Sequence, residues 1–241
     1  MSFDLHSIDF SNIQDDQKNL YRYMYSSLDG SIYDIAKLVH FLYKDIYKVA
    51  RLKSKLWYVF DGLKWKPSEL GPYYELSTNV VNLYQQFVIE EKDKKKVLED
   101  QLEGIKKELT TEDDIQHYKQ SLKTTERIIT NMEKIIFKLK TVNTKESICK
   151  ECLYLFYDPD FLINLDMSKN LICFLNGILD LSQNKLRDGV FSDNISIVIN
   201  ANFIPPKTRK EKKELAILLE EFHKFREKIT SKRQNKLIFF V

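Results

Sequence analysis

Glycine and proline are scarce in this sequence, six and five residues in 241. A chain so poor in turn-formers, with abundant Lys, Glu, Leu and Ile, is biased towards helix and away from a strand-dense sandwich. Cysteine is sparser still, and an odd three argues for a reducing compartment and against a disulfide framework. No apolar run approaches the ~20 residues that span a bilayer. The N-terminus MSFDLHSIDFSN lacks the basic stretch and apolar core of a signal peptide. A soluble intracellular protein with no membrane partner is expected. The sequence also has no Gly-x-x-x-x-Gly-Lys-Ser/Thr, and therefore no backbone cradle for nucleotide phosphates.

Reactive groupings are thin as well. Cys149 and Cys152 have the spacing of half a zinc site, but only Cys173 and a distant His could complete four ligands. Both read as small buried residues on a helix. Asp158-Pro159-Asp160 resembles the paired aspartates that hold two divalent metals, which would suit a nuclease or nucleotidyltransferase. Pro159 following the apolar run Leu153–Tyr157 fits the end of a helix better. His6, His40, His117 and His223 are scattered. No catalytic residue, metal or cofactor is expected.

The patterns that are present predict an α+β fold, mostly α: a helical domain with two small β-hairpins and a long antiparallel helical hairpin. Ile35, Leu38, Val39, Leu42 and Ile46 recur at helical spacing, with Ser31 as a cap. From about Leu76 to Tyr157 two long helices are predicted. Ile115, Tyr118, Leu122, Thr125, Ile129, Met132, Ile136 and Leu139 form the seam of the second, and Leu98, Leu102, Ile105 and Leu109 that of the first. Thr111 with Asp114 offers a cap between them, and the charged run Glu90–Lys96 is expected to face solvent. Asn176-Gly177 between apolar runs predicts a tight hairpin with both residues at positive φ, and Ser182-Gln183-Asn184 a second turn. The alternation of Ile195, Ile197 and Ile199 suggests a further strand. Pro205-Pro206 closes the main domain, 1–206. Beyond it, 207–241 reads as a basic amphipathic helix and tail, with Leu215, Leu218, Leu219, Phe222, Phe225 and Ile229 as its stripe. From Lys207 to Lys236 eleven Lys or Arg stand against five Glu, net +6, so the rest of the +3 chain is near −3. That asymmetry is compatible with a polyanion partner.

The best site candidate is a hairpin turning at Asp61-Gly62. In that register Phe60 faces Leu63 and Tyr58 faces Trp65, while Val59 faces Lys64 and Trp57 faces Lys66. Lys53, Lys55, Trp57, Lys64 and Lys66 would then form a basic face with one aromatic ring, the combination that stacks a base and neutralises phosphates on single-stranded DNA. The alternative is that Trp57 packs against the preceding helix under the lysine stems.

Two blocks carry a family resemblance. The first comprises Asp34-Ile35-Ala36-Lys37-Leu38-Val39, Leu42-Tyr43-Lys44-Asp45, and Lys55 to Gly62 with Trp65. The second runs from Asp166 and Ser168 through Lys169-Asn170-Leu171, Asn176-Gly177, Ile178-Leu179-Asp180-Leu181 and Arg187-Asp188-Gly189 to Asp193-Asn194-Ile195-Ser196. Together they resemble the linker domain between primase and superfamily-3 helicase in primase-helicases of poxviruses, other large DNA viruses and phages. Phe191-Ser192-Asp193-Asn194 stands where the family usually has Pro and Glu before its Asp-x-Ile-Ser segment, and no ATPase follows, as in an excised domain or a split or truncated gene. The resemblance implies a non-catalytic accessory domain of a viral DNA-replication primase-helicase, supporting hexamer assembly and engaging single-stranded or forked DNA. Its partners would be helicase or primase domains of a relative and further copies of itself, in the host cytoplasm or a viral replication site. A second reading is a stand-alone interaction protein derived from such a gene.

Overall fold

The computed structural model describes residues 13–105 and 112–208, with 210–211, 213–214, 216–221 and 224 of the C-terminal segment. Seven helices and six strands are assigned among them: α1 Ile13–Ser26, α2 Ile32–Tyr43, β1 Tyr47–Arg51, β2 Leu56–Phe60, β3 Trp65–Ser68, α3 Tyr73–Ser77, α4 Asn79–Ile105, α5 Glu112–Leu139, α6 Val142–Leu155, α7 Phe161–Asn164, β4 Leu171–Phe174, β5 Gly177–Asp180 and β6 Lys185–Arg187. The fold is α+β and mostly helical, with two antiparallel three-stranded sheets ordered β1-β2-β3 and β4-β5-β6.

α2 starts as its sequence predicts. The backbone turns left-handed at Gly30 (φ 76°), and the Ser31 hydroxyl accepts from the Asp34 N–H at 3.3 Å, satisfying one of the free donors of the first turn. The helix buries Ile35, Ala36, Leu38, Val39 and Tyr43. It ends before the predicted Ile46, because the chain there turns into β1, a strand that the helical spacing of Leu42 and Ile46 concealed.

The predicted helical hairpin is α4 against α5. Thr125, Ile129, Met132, Ile135 and Leu139 are buried on α5, with Ile135 more deeply set than the expected Ile136. The second helix stops at Leu139, and α6 is a separate helix. Thr141 is extended (φ −93°, ψ 141°), in a Thr-Val-Asn-Thr stretch of weak helix formers. The Glu90–Lys96 run faces solvent as expected, with Glu90, Lys92, Asp93, Lys94 and Lys96 exposed and Lys95 half-buried, and Glu91 is the exception. Glu91 is buried and accepts from Tyr25 Oη at 2.8 Å and Lys94 Nζ at 2.6 Å, because α1 lies over it. Further out the pair has little around it: between residues 92 and 124 only Leu102 is buried among the described side chains. The outer half of the hairpin is therefore an arm. Leu109 and the Thr111 cap lie outside the described residues.

The first sheet is covered on both faces. Tyr47, Val49, Trp57 and Val59 pack on the helical core, while Ala50, Leu56, Tyr58, Phe60 and Trp65 pack on Phe161 and Leu165. The β4–β5 turn is displaced from the expected Asn176-Gly177 pair. Phe174 pairs with Gly177, leaving Leu175-Asn176 as the loop, and only Gly177 has positive φ (140°). Asn176 is held instead by Phe203, accepting from its N–H at 2.8 Å and donating Nδ2 to its carbonyl at 3.0 Å. The predicted strand 195–199 contributes only an isolated parallel bridge between Phe174 and Ile199, and Ile197 is exposed. In the C-terminal segment Ala216 and Leu219 line a cavity with Leu179, Phe203, Pro205 and Pro206, whereas Leu218 is exposed. Leu215, Phe222, Phe225 and Ile229 lie outside the described residues.

Candidate nucleic-acid interface

The proposed stacking surface does not exist as such, because Trp57 is a core residue at 4% exposure. Its indole meets Phe156 at 5.5 Å and Tyr47 at 6.3 Å between ring centroids. Gly71 closes the third side: a Cβ built there would lie 2.7 Å from Trp57 Cδ2 and Cε2. The hairpin register also differs, since Phe60 pairs with Trp65, Val59 with Lys66 and Trp57 with Ser68. A four-residue turn, 61–64, replaces the two-residue one, because Asp61 organises it. Its Oδ1 accepts from the Leu63 N–H at 3.1 Å and the Lys64 N–H at 3.0 Å.

The four lysines are not brought together. Lys53 and Lys55 are exposed in the β1–β2 turn, Lys55 at φ 49°. Lys64 and Lys66 flank the β2–β3 turn at the other end of β2, a five-residue strand that spans roughly 16 Å. Lys64 is half-buried, and Lys66 Nζ lies 3.5 Å from Asp61 Oδ2. They are two separate pairs of cations at opposite ends of β2, and the Trp57 ring between them is buried.

Asp158 is a structural turn residue. Its Oδ2 accepts from Lys48 Nζ at 2.9 Å, its Oδ1 from the Asp160 N–H at 3.1 Å, and its own N–H donates to the Val49 carbonyl at 3.0 Å. Burial pushes the Cys149 thiol up to about 12 and the Cys152 thiol well above its ordinary value. Among the described residues no group of three or more His, Cys, Asp or Glu is placed to hold a metal ion.

The second sequence block has a physical role that its residue types did not reveal. Asp166, buried and at φ 62°, accepts from the Ser196 N–H at 2.7 Å, the Ser196 hydroxyl at 2.5 Å and the Ile197 N–H at 3.1 Å. Arg187 donates a fork of two hydrogen bonds to Asp193, at 2.7 and 2.8 Å, and Nε lies 3.7 Å from Asp180 Oδ2. Gly189 touches the β2–β3 turn so closely that a Cβ there would lie 2.6 Å from the Leu63 carbonyl oxygen. Trp65 completes the seam, donating its backbone N–H to Ile195 at 2.7 Å and Nε1–H to the Phe191 carbonyl at 2.8 Å. These residues staple the second sheet to the first. The clue in the sequence is that acids stand beside turn and Ser positions, where a carboxylate collects backbone N–H groups.

The Asp180 carboxyl is held below the usual carboxylate range, first by the Ser182 hydroxyl. Desolvation opposes this, and the Ser182 and Gln183 N–H groups and the Arg187 charge add to it. A depressed folded-state pKa contributes stability above the unfolded value of about 3.9 that is lost as pH falls through the folded value. Urea unfolding at pH 7 and pH 3 is expected to show less acid sensitivity in Asp180→Asn than in the natural protein.

The fold and this seam define a scaffold of helices around two stapled sheets, with an outstanding arm. The chain belongs to the family described as "D5 N terminal like", which it matches over residues 36–231. It is 32% identical over 178 residues to "Putative helicase L207/L206" of Acanthamoeba polyphaga mimivirus, covering 73% of this chain and 17% of that protein. It is 26% identical over 174 residues to "Putative helicase 022R" of Frog virus 3 (isolate Goorha), covering 63% and 17%. Against "Putative helicase 121R" of Invertebrate iridescent virus 3 it is 34% identical over 73 residues, covering 30% and 8%. The chain thus spans about a sixth of the length of the first two relatives. Each of these three relatives is named a putative helicase.

Proposed function

We propose that this chain is a non-catalytic accessory domain of a viral DNA-replication primase-helicase, supporting ring assembly and engaging single-stranded or forked DNA. The observation that carries the reading is a D5 N terminal like domain built as a stapled body with a free-standing two-helix arm. The polar residues of its second block are occupied in holding the fold. The arm offers surface for a neighbouring subunit or a nucleic acid. α4 and α5 are 27 and 28 residues long, about 40 Å each at 1.5 Å per residue.

Multi-angle light scattering of the chain alone, and mixed with an ATPase-bearing member of the family, tests the assembly half of this reading. Mixed species heavier than either component are expected. Two unchanged, separate masses would contradict assembly.

A further inference from the structure

We infer that the outward face of α5 is a binding surface for the phosphodiester backbone of nucleic acid, with Phe137 as a base-stacking ring at its inner end. This rests on the DNA-engagement reading above and deepens it by assigning a surface. Lys119, Lys123, Arg127, Lys134 and Lys138 are exposed, the last with its Nζ beside the Gly30 loop, 3.1 Å from where a Cβ at Gly30 would lie. Their spacing of 4, 4, 7 and 4 residues places them within an arc of about 100° on a 3.6-residue helix. That arc is roughly opposite the buried seam of Thr125, Ile129, Met132, Ile135 and Leu139. The five positions extend over about 28 Å, with about 6 Å between cations four residues apart. That interval is close to two phosphate steps of one duplex strand at about 3.4 Å each.

What distinguishes this stripe from an ordinary solvated face is where the acids go. Glu126 and Glu133, the acidic residues of α5 between Lys119 and Lys138, lie to the side of the arc and are bound by α4. Lys95 Nζ is 2.9 Å from Glu126 Oε1, and Lys92 Nζ is 2.9 Å from Glu133 Oε1. Among the described residues no carboxylate lies within ion-pair distance of any of the five cations. An uncompensated row of this kind attracts a polyanion and releases the polyanion's counterions on contact. Phe137, between Lys134 and Lys138 in sequence and 73% exposed, adds a bare ring at the edge of the same face. A ring beside cations favours nucleic acid over an acidic protein surface, because bases stack on it.

Fluorescence anisotropy of labelled single-stranded and forked DNA, over a range of salt, tests this with three variants whose fold is checked by circular dichroism. Lys123→Glu/Arg127→Glu/Lys134→Glu is expected to weaken binding by about 100-fold at low salt. At about 0.7 per phosphate contact it should also lower the slope of log K against log salt by about 2. Phe137→Ala is expected to weaken binding by about fivefold or more. The third variant, Lys53→Glu/Lys55→Glu/Lys64→Glu/Lys66→Glu, is expected to bind within a few-fold of the natural chain. Undiminished binding and slope in the α5 variant would overturn the assignment while leaving DNA engagement intact, and loss in the β-turn variant alone would relocate it there. No binding by the natural chain at low salt would overturn DNA engagement itself. Displacement by polyglutamate as readily as by unlabelled DNA would overturn the nucleic-acid assignment.

Discussion

Trp57→Ala is expected to destabilise the protein by about 3–5 kcal/mol, the range for removing a large buried aromatic side chain. The indole is enclosed by Phe156 and Tyr47 and lies hard against Gly71, so its removal leaves a void whose walls belong to the sheet, α6 and the loop before α3. Gly71→Ala approaches the same site from the other side. The new methyl would meet the ring at 2.7 Å, at a residue whose φ is +54°, and overpacking of this kind typically costs about 1–3 kcal/mol. Denaturant unfolding of both variants checks the pair. If Trp57→Ala shifted stability by less than 1 kcal/mol while abolishing DNA binding, the ring would be a surface platform after all.

The second large effect is expected at Asp166. Asp166→Ala removes the acceptor for two backbone N–H groups and one hydroxyl. Leaving donors unsatisfied at a buried position is expected to cost about 2–4 kcal/mol in total. Asp166→Asn retains a carbonyl acceptor and tolerates the left-handed backbone, which Asn and Asp adopt more readily than most residues, so it should lose less than half as much. Hydrogen exchange should show the loss concentrated at Ser196 and Ile197, with α2 and α6 protected as before. Equal losses in both variants would mean that the carboxylate's charge, and not its acceptor geometry, holds the two sheets together.

These two residues also show how far the sequence could be read. The helices were legible where burial follows one period: α2 and the inner half of α5 present apolar residues every three or four positions, and only Ile135 displaced Ile136. β1 was hidden because Ile46, immediately before it, continues the apolar spacing of α2. Trp57 could not be placed from its own strand. Alternation identifies two faces of a hairpin, but whether a face is covered depends on Phe156, about 100 residues away in sequence, and on Gly71. The lysines around it divided into separate pairs because Asp61 widened the turn and moved every cross-strand partner by two.

The motif residues of the second block were legible as a pattern and not as a mechanism. Asp166, Asp180, Arg187 and Asp193 are the residue types of an active site, yet each is occupied in holding a turn or a neighbouring segment. Only the distances distinguish the two uses. The α5 stripe was available in the sequence as cations at four-residue steps, but the apolar seam on the opposite side of the same helix is the stronger signal. That the acids between them are bound by α4 becomes visible only once the two helices are paired.

The proposed role is that of a non-catalytic accessory to a helicase. It is tested most directly by following fork unwinding and ATP hydrolysis by an ATPase-bearing family member as this chain is added in increasing amounts. The account predicts that the chain alone neither hydrolyses ATP nor opens the fork, and that its addition changes the relative's unwinding rate in a dose-dependent way. ATP hydrolysis by the chain alone, or an unwinding rate indifferent to a large excess of it, would contradict the account.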